Sequence, residues 1–389
     1  MVEYRLDGPR GDNPLGFLTA LGALVTLEDA GHGAALGWRG VTPRLLVKFN
    51  SVLSDLPEAE EGRRRVLAEI LHKLLRRERG ESAEKVEQAK KEMERAKTAV
   101  KKKHEEIRKR KLDRVALKKA RELELEPLEQ VLKEKTEAFK EHLAGSAADP
   151  SVTLGKNLTE ANARLIAHAA AACERCSTAD RRWADLAAAY GVADPAVPGE
   201  WMTASPWALV SGSGHQDFLS SAEQLMFDCA PAHLSRALFG PWEPQDEKYS
   251  LRLDTADDRR YALMDRDPTA SGNKPLTLWG ANRLAFEALR FFPAMPARGG
   301  MAVRGWRAIG GDWQEGCRVR WPLWGEPVGV AVVQSLLGLP DLWLEETRAA
   351  ARLRGRGVHA VMESRRIAIG QGANRKYNLT PAAAVWVSG

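Results

Sequence analysis

Long apolar runs are missing from this sequence. The most apolar stretch, Val328 to Leu337, has the length of a strand or a short buried helix, whereas a membrane-spanning helix needs about twenty such residues. The first residues, Met1 to Arg5, also lack the basic segment and following apolar segment of a secretion signal. These two absences predict a soluble, cytoplasmic protein that has no membrane partner.

Cysteine is scarce as well. Four cysteines in 389 residues do not suggest a disulfide scaffold, and a cytosolic chain would keep them reduced. Cys173 and Cys176 have metal-ligand spacing, with His168 nearby, but Cys229 and Cys317 stand alone in the sequence. Buried thiols are therefore the default interpretation, and we predict neither a metal nor another cofactor.

Signatures of common catalytic sites are also absent. Gly212-Ser213-Gly214 lacks the rest of a phosphate-binding loop, no GxGxxG follows a strand, and Ser211 to His215 does not match GxSxG. One enzymatic alternative stays open, a nuclease whose divalent metal is held by Asp254, Asp257 and Asp258. Charged neighbours at a turn more often form surface ion pairs, so we predict no catalytic residues.

Residues 1–56 have the pattern of the N-terminal part of an α/β body. Asn13 and Pro14 are suited to begin a helix, because Asn caps free N–H groups and Pro fits the first turn. The segment predicts two strands and one amphipathic helix: Val2–Leu6, Leu45–Phe49 and Leu15–Ala30.

Residues 57–145 differ in composition and predict a charged helical hairpin inserted into the body. Between Glu81 and Glu141 there is no glycine and one aromatic residue, Phe139. Apolar residues recur every seven positions and favour a coiled-coil seam, before Lys103 and Arg110 interrupt it. A reversal near Lys111–Val115 and a kink at Pro127 complete the pattern. The seam residues are Val86, Ala89, Met93, Ala96, Val100 and Ile107, with Leu123, Leu125, Leu128 and Leu132 on the returning arm.

Residues 146–389 predict a tryptophan-rich α+β body with a basic C-terminal region. Eleven of the twelve tryptophans lie beyond residue 180, so we expect the main core in residues 150–389. A strand from Tyr249 to Leu253 and a hairpin turning at Ser364-Arg365 are also predicted. The whole chain is therefore expected to be an α+β globular body with an inserted long antiparallel helical hairpin.

The formal net charge of +6 only mildly favours an anionic partner, so the arrangement of charge matters more. From Arg352 to Asn378 there are seven basic residues, four glycines and one acid, Glu363. Arg and Lys neutralise phosphates, and Asn and Gln can hydrogen-bond base edges, although a solvated loop has the same composition. The predicted nucleic-acid-binding residues here are Arg352, Arg354, Arg356, Arg365, Arg366, Gln371, Asn374, Arg375 and Lys376.

Two weaker candidates lie elsewhere in the body. Asn273 and Lys274 share a loop with Arg266, and the helix start after Asn13 could present N–H groups to an anion, as any helix start does.

The far end of the hairpin is strongly positive, since Lys101–Arg121 contains eleven basic and three acidic residues. One interpretation is a solvated spacer that docks a neighbour. The other is a basic clamp on a displaced single strand or a guide–target duplex, limited to charge contact because no aromatic residue lies there. The predicted contacts are Lys101, Lys102, Lys103, Arg108, Lys109, Arg110 and Lys111.

Several strings resemble a known family. Gly11–Gly22 (GDNPLGFLTALG) is similar to the N-terminal signature of large-subunit-like CRISPR-associated proteins of type I-G systems, formerly called I-U. The resemblance covers roughly 1–56 and 200–389, but not the charged hairpin. The other similar strings are Ser221–Gln224, Asp246–Arg252, Asp257–Leu263, Gly280–Ala285 and Asn378–Pro381.

The resemblance implies a non-catalytic subunit of an RNA-guided surveillance complex of the Cascade kind, acting in antiviral defence. Such a subunit helps to recognise the short duplex motif beside the target and supports strand separation, while guide pairing reads the sequence. The implied partners are guide RNA, target DNA, the other complex subunits and a helicase-nuclease recruited in trans. The alternatives are the metal-dependent nuclease and an assembly scaffold that binds protein through the hairpin.

Overall fold

The computed structural model describes residues 1–50, 57–76, 81–110, 113–145, 181–193, 202–209, 218–255, 276–297, 300–308, 316–344, 346–369 and 376–388. The chain forms two compact units, one made of Met1–Arg76 and Gly155–Gly389, the other of Arg77–Leu154. Helices and small antiparallel sheets both occur, which confirms the α+β class. Within the described ranges, no helix is long and apolar enough to cross a membrane.

The described helices are α1 Pro14–Asp29, α2 Glu60–Leu75, α3 Glu81–Lys109, α4 Arg114–Ala120, α5 Glu126–Gly145, α6 Arg181–Tyr190, α7 Phe218–Asp228, α8 Pro231–Phe239, α9 Trp279–Ala288, α10 Val330–Leu337 and α11 Glu346–Gly355. A π-helical turn spans Arg121–Leu125, and 3₁₀ turns span Leu289–Phe291 and Pro340–Trp343. The strands are β1 Val2–Arg5, β2 Gly33–Arg39, β3 Thr42–Lys48, β4 Gly191–Ala193, β5 Met202–Ala204, β6 Asp246–Glu247, β7 Leu276–Thr277, β8 Ala294–Ala297, β9 Gly300–Val303, β10 Trp306–Arg307, β11 Arg318–Trp324, β12 Val358–Ile369, β13 Lys376–Leu379 and β14 Ala383–Val387.

The N-terminal sheet is antiparallel, in the order β1–β3–β2. Strands β1 and β3 match the two predicted strands. Strand β2 was not predicted, because its sequence GAALGWR contains Gly and Ala and no β-branched residue. Its pairing with β3 supplies the stability that its own propensity lacks.

Helix α1 begins as predicted. The Asn13 side-chain oxygen accepts hydrogen bonds from the N–H groups of Leu15 (2.9 Å) and Gly16 (3.3 Å), and Pro14 is the first helical residue. The prediction of an amphipathic helix is wrong, however, because every residue from Pro14 to Leu27 is buried. A helix that has apolar or small residues on all sides is typical of a protein core. The core is therefore not confined to residues 150–389, since α1 lies at its centre.

Helix α1 packs closely against α9, and α9 against α8. A Cβ atom added at Gly22 of α1 would lie 1.9 Å from the Leu284 carbonyl oxygen of α9. Likewise, a Cβ at Gly280 would lie 2.2 Å from the His233 carbonyl oxygen of α8. The two glycines thus let three helices approach one another at backbone distance.

Helix α2 belongs to this body and not to the inserted unit. Arg283 of α9 is buried; it forms an ion pair with Glu287 (2.8 Å) and donates a hydrogen bond to the carbonyl oxygen of Leu75 (3.0 Å) at the end of α2. The separate unit therefore begins at Arg77, not at residue 57 as predicted.

Strand β12 organises the C-terminal sheet, in which every pairing is antiparallel. It pairs with β11 on one edge, and on the other with β14 through residues 360–363 and with β13 through residues 366–369. The predicted reversal at Ser364-Arg365 is wrong, because β12 continues through both residues. Separate partners at its two ends keep the strand extended.

The predicted strand from Tyr249 to Leu253 is also absent from the structure. Instead, the backbone is left-handed at Lys248, Tyr249 and Arg252, with φ of 67°, 54° and 58°. Such values are uncommon for residues other than glycine and are incompatible with a regular strand.

Two tryptophans of β11 join the C-terminal sheet to the N-terminal segment. The indole N–H of Trp321 donates to the carbonyl oxygen of Gly11 (2.8 Å), and that of Trp324 to the carbonyl oxygen of Leu36 (2.6 Å). The Phe17 ring lies 5.6 Å from the rings of both Trp38 and Trp321. These contacts fix one face of β11 against the core.

The second unit is the antiparallel helical hairpin, as predicted. Helices α3 and α5 are linked by an ion pair between Glu92 and Lys135 (2.8 Å). The seven-residue repeat of α3 is confirmed, since Ala89 and Ile107 are buried and the other seam residues are half-buried. Leu125 is buried on the returning arm, whereas Leu123 is 66% exposed and is not part of the seam.

The predicted kink at Pro127 takes the form of the π-helical turn just before it. Proline has no N–H and its ring clashes with the preceding turn of an α-helix, so a wider turn accommodates it. The N–H of Glu126 correspondingly bonds to the carbonyl oxygen of Arg121, five residues back.

Replacing Gly22 by Ala is expected to lower the free energy of unfolding by about 3 kcal/mol or more, because the new methyl group would collide with the α9 backbone. This loss exceeds the gain of about 1 kcal/mol that Ala brings to a helix interior. Urea unfolding of the full chain measures the effect. Gly325→Ala is the matched control, since no atom lies within 4 Å of its added Cβ. Equal stability of the two variants would contradict the packing described.

Candidate nucleic-acid interface

Strand pairing gathers four arginines on the outer side of the C-terminal sheet. Arg318 lies opposite both Arg307 of β10 and Arg365 of β12, and Arg320 lies opposite Glu363. Side chains alternate along strands, so these residues share the face opposite Val319 and Trp321, which are buried in the core. We call Arg307, Arg318, Arg320 and Arg365, around Glu363, the arginine face.

Glu363 lies at the centre of the arginine face and is 8% exposed. Its carboxylate accepts a hydrogen bond from Arg320 (2.7 Å) and lies 3.7 Å from the guanidinium groups of Arg318 and Arg365. The single negative charge of Glu363 is thus shared by three positively charged arginines. The excess positive charge makes the face attractive to an anion.

Trp343 holds two of the arginines in place. The guanidinium carbons of Arg307 and Arg320 lie 4.7 Å and 4.9 Å from the centre of its ring, within cation–π range. Arg320 also donates to the carbonyl oxygen of Leu342 (2.8 Å). Burial, and then the charge of Arg320, lowers the pKa of the Arg307 guanidinium below its ordinary value. The two arginines therefore repel each other, and a bound anion would relieve that repulsion.

A smaller basic cluster lies beside Trp343, on α11 and the residue that follows it. Arg352 and Arg356 bind the two oxygens of the buried Asp341 carboxylate at 2.6 Å and 2.9 Å. Both guanidinium groups remain about half exposed, so one positive charge is in excess here too. Arg354 is exposed but leaves the helix on the opposite side from Arg352.

Arg366 was predicted to bind nucleic acid, and this prediction is wrong. It is 6% exposed, its guanidinium carbon lies 3.8 Å from the centre of the Tyr377 ring, and it donates a hydrogen bond to the carbonyl oxygen of Ala208 (3.4 Å). Because β12 does not turn, Arg365 and Arg366 point to opposite faces of the sheet. Only Arg365 reaches the outer one.

Several predicted residues lie outside the described ranges: Asn273, Lys274, Gln371, Asn374, Arg375 and Lys111. The backbone of Lys376 lies in β13 opposite Ile369.

At the hairpin end, the predicted basic residues divide into two groups. Lys103 and Arg110 both form ion pairs with Glu124 across the hairpin, at 3.5 Å and 2.6 Å. At the two positions that interrupt the apolar seam, ion pairs therefore link the helices in place of apolar contacts. Hydrogen bonds to Glu106 and then to Glu124 raise the pKa of Lys103, and one to Glu124 raises the pKa of Arg110. Lys101, Lys102, Arg108 and Lys109 are exposed on the same helix.

The residues behind the other predictions are placed as follows. Asp254 is buried and accepts a hydrogen bond from the Asn13 side chain (3.0 Å), whereas Asp257 and Asp258 lie outside the described ranges. In the ranges that are described, no group of three His, Cys, Asp or Glu could hold a metal ion.

Burial raises the pKa of the Cys229 thiol to about 12, as expected of an inert thiol.

The helix start after Asn13 is a poor anion site. Its Leu15 and Gly16 N–H groups already bond to the Asn13 side chain, so the chain supplies its own acceptor there.

Sequence reasoning missed Arg307, Arg318, Arg320 and Trp343. The alternation Arg318-Val319-Arg320-Trp321 is a recognisable signal of a strand with one charged face. The pairing that brings this strand beside Arg365 cannot be derived from the local sequence, however, and that pairing assembles the face.

Replacing Arg307, Arg318 and Arg365 by Ala should weaken nucleic-acid binding by about tenfold or more, because fewer phosphates are neutralised. The slope of log K against log salt should flatten by about 0.9 for each phosphate that is no longer neutralised. Fluorescence anisotropy with labelled DNA and RNA over a salt series measures both. The control Arg5→Ala/Arg39→Ala/Arg65→Ala removes the same charge at exposed positions elsewhere on the body. Glu363→Gln should act in the opposite direction, tightening binding severalfold. Equal losses in the two triple variants would contradict the assignment.

No family model matches this chain, and no curated protein matches it either. Its assignment to a function therefore rests on the site and on the resemblance of its sequence strings.

Proposed function

We propose that this chain is a non-catalytic, nucleic-acid-binding subunit of an RNA-guided CRISPR surveillance complex of type I-G. The observation that carries the proposal is the arginine face, where three guanidinium groups share the single carboxylate of Glu363. Excess positive charge on a firm scaffold fits the phosphate backbone of a nucleic acid.

Arginine suits this role better than lysine would. Its planar guanidinium presents a fork of donors that matches two phosphate oxygens. On the arginine face, the guanidinium group of Arg320 is already held in place without a ligand. It is hydrogen-bonded to Glu363 and to the Leu342 carbonyl oxygen, and it lies near the Trp343 ring. Less side-chain entropy is then lost on binding.

The resemblance to type I-G large-subunit-like proteins agrees with a binding role rather than a catalytic one. Two of the strings that carry it, Gly11–Gly22 and Gly280–Ala285, supply α1 and the start of α9, which pack on each other in the core. As a member of such a complex, the chain would contact guide RNA and target DNA, join the other subunits, and leave cutting to a helicase-nuclease recruited in trans.

A nuclease role for the chain itself has less support. Its candidate ligand Asp254 is buried and receives the Asn13 amide, an arrangement that fits a structural link between α1 and the segment before residue 255.

Affinity purification of the tagged chain from its own cells tests the proposal. We expect guide RNA and sister subunits to co-purify, and we expect the RNA, but not the sister subunits, to be depleted in the Arg307→Ala/Arg318→Ala/Arg365→Ala variant. Recovery of the chain alone, with neither RNA nor sister subunits, would contradict membership of a complex. Recovery of subunits with unchanged RNA in the variant would assign RNA binding to another surface.

A further inference from the structure

One 3₁₀ turn, Pro340–Trp343, lies between the two basic clusters of the body. The carbonyl oxygen of Leu342 in this turn accepts a hydrogen bond from Arg320 of the arginine face. The residue before it is the buried Asp341, which binds two arginines at the end of α11. Because neighbouring residues of a single turn contact both groups, the two clusters lie side by side. We call Asp341, Arg352 and Arg356 the Asp341 cluster.

The arginines of the Asp341 cluster keep donors for a ligand. Arg352 binds Asp341 through its Nε atom, and Arg356 binds it through one terminal nitrogen, Nη1. A guanidinium group has five N–H bonds, so most of them remain available. The two side chains are 53% and 43% exposed. On α11 itself, the acid Glu346 lies at the opposite end of the helix, about 9 Å along the axis from Arg352.

Strand register and contacts set the order of the positive groups. Arg318 lies opposite Arg365, and Arg320 is the next outward residue along β11. The Trp343 ring lies 4.9 Å from the guanidinium carbon of Arg320 and belongs to the same turn as Asp341. The positive groups therefore follow one another from Arg365, past Trp343, to the Asp341 cluster.

Strand β12 gives the length of this row. It begins at Val358, two residues after Arg356, and reaches Arg365 seven residues later. A strand rises about 3.3 Å per residue, so the row is about 23 Å long. At about 3.4 Å per stacked nucleotide, this length matches about seven nucleotides. Among the described residues, the row carries six arginines and two carboxylates, which leaves four positive charges in excess.

A row of this length suits a single strand better than a duplex. A duplex completes one turn in about 35 Å. Over about 23 Å, each of its strands therefore passes two-thirds of the way around the axis, which carries its phosphates away from the protein. A single strand can bend and keep consecutive phosphates on the row.

We propose that the arginine face and the Asp341 cluster form one continuous track for the phosphates of a single-stranded nucleic acid. The inference rests on the proposed nucleic-acid-binding function and adds the form and the length of the ligand. Because the track contacts phosphates and not base edges, its affinity does not depend on the base sequence. The turn Pro340–Trp343 is a positioning element, since it holds arginines at both ends of the track.

Fluorescence anisotropy of the full chain with a labelled twelve-nucleotide oligothymidylate, over a salt series, tests the proposal. For four neutralised phosphates of a single strand, we expect the slope of log K against log salt to be about −2.8. Arg352→Gln should weaken binding about fivefold at low salt and flatten the slope by about 0.7, because one phosphate contact is lost. Asp341→Asn should tighten binding severalfold, since the carboxylate that competes with phosphate is neutralised.

Two controls separate the track from general effects of charge. Arg354→Gln removes the same charge from the opposite side of α11, so it should change neither the affinity nor the slope. A thymidine trinucleotide is too short to reach from Arg365 to Arg352 and should occupy the arginine face, which holds three of the four excess charges. Its affinity, measured by competition, should therefore be the same in the wild-type chain and in Arg352→Gln. Circular dichroism shows that each variant keeps its helices.

The outcomes separate this inference from the function on which it rests. Equal effects of Arg352→Gln and Arg354→Gln on the twelve-nucleotide strand would overturn the track and leave the arginine face as the binding site. A twelve-base-pair duplex that binds more tightly than the single strand, with the same loss in Arg352→Gln, would overturn the single-strand assignment. Failure of the wild-type chain to bind either nucleic acid at low salt would contradict the proposed function itself.

Discussion

The placement of charge in this protein depends on one constraint, the extended course of strand β12 between the three strands that pair with it. Because the strand stays extended, odd-numbered residues such as Glu363 and Arg365 face outward, and even-numbered residues such as Ser364 and Arg366 face the core. A turn at Ser364-Arg365 would leave Glu363 opposite Arg320 but would move Arg365 away from Arg318. The buried tryptophans of β11 reinforce the arrangement by tying the inner face to the N-terminal segment.

Local patterns in the sequence predicted local structure well. The Asn13 cap, the seven-residue repeat of α3 and the disturbance at Pro127 all follow from interactions within a few residues or one helix turn. The features that could not be predicted from the sequence depend on contacts between segments far apart in the chain. Whether Arg365 or Arg366 faces outward depends on the partners of β12. Those partners lie elsewhere in the sequence, and the residues of β12 itself do not reveal them. The same holds for α1, whose complete burial depends on elements such as α9 that lie far along the chain.

The two units handle charge differently. In the body, buried carboxylates at Glu363 and Asp341 each bind more than one arginine, which holds the guanidinium groups in place while leaving positive charge in excess. In the hairpin, Glu124 forms ion pairs with Lys103 and Arg110 across the seam, so the charges there link the two arms to each other. Counting basic residues does not distinguish these uses. Partner carboxylates and strand register do distinguish them, and they leave excess positive charge on the C-terminal sheet of the body, where we propose that nucleic acid binds.

Photo-crosslinking of bound nucleic acid, followed by mass spectrometry of the attached peptides, tests the central claim most directly. The account predicts crosslinks in peptides that contain Arg307, Arg318 to Arg320, Trp343 and Arg365, and competition by excess unlabelled nucleic acid should remove them. Crosslinks confined to the exposed hairpin lysines Lys101 and Lys102, or to surfaces of the body away from the C-terminal sheet, would contradict it.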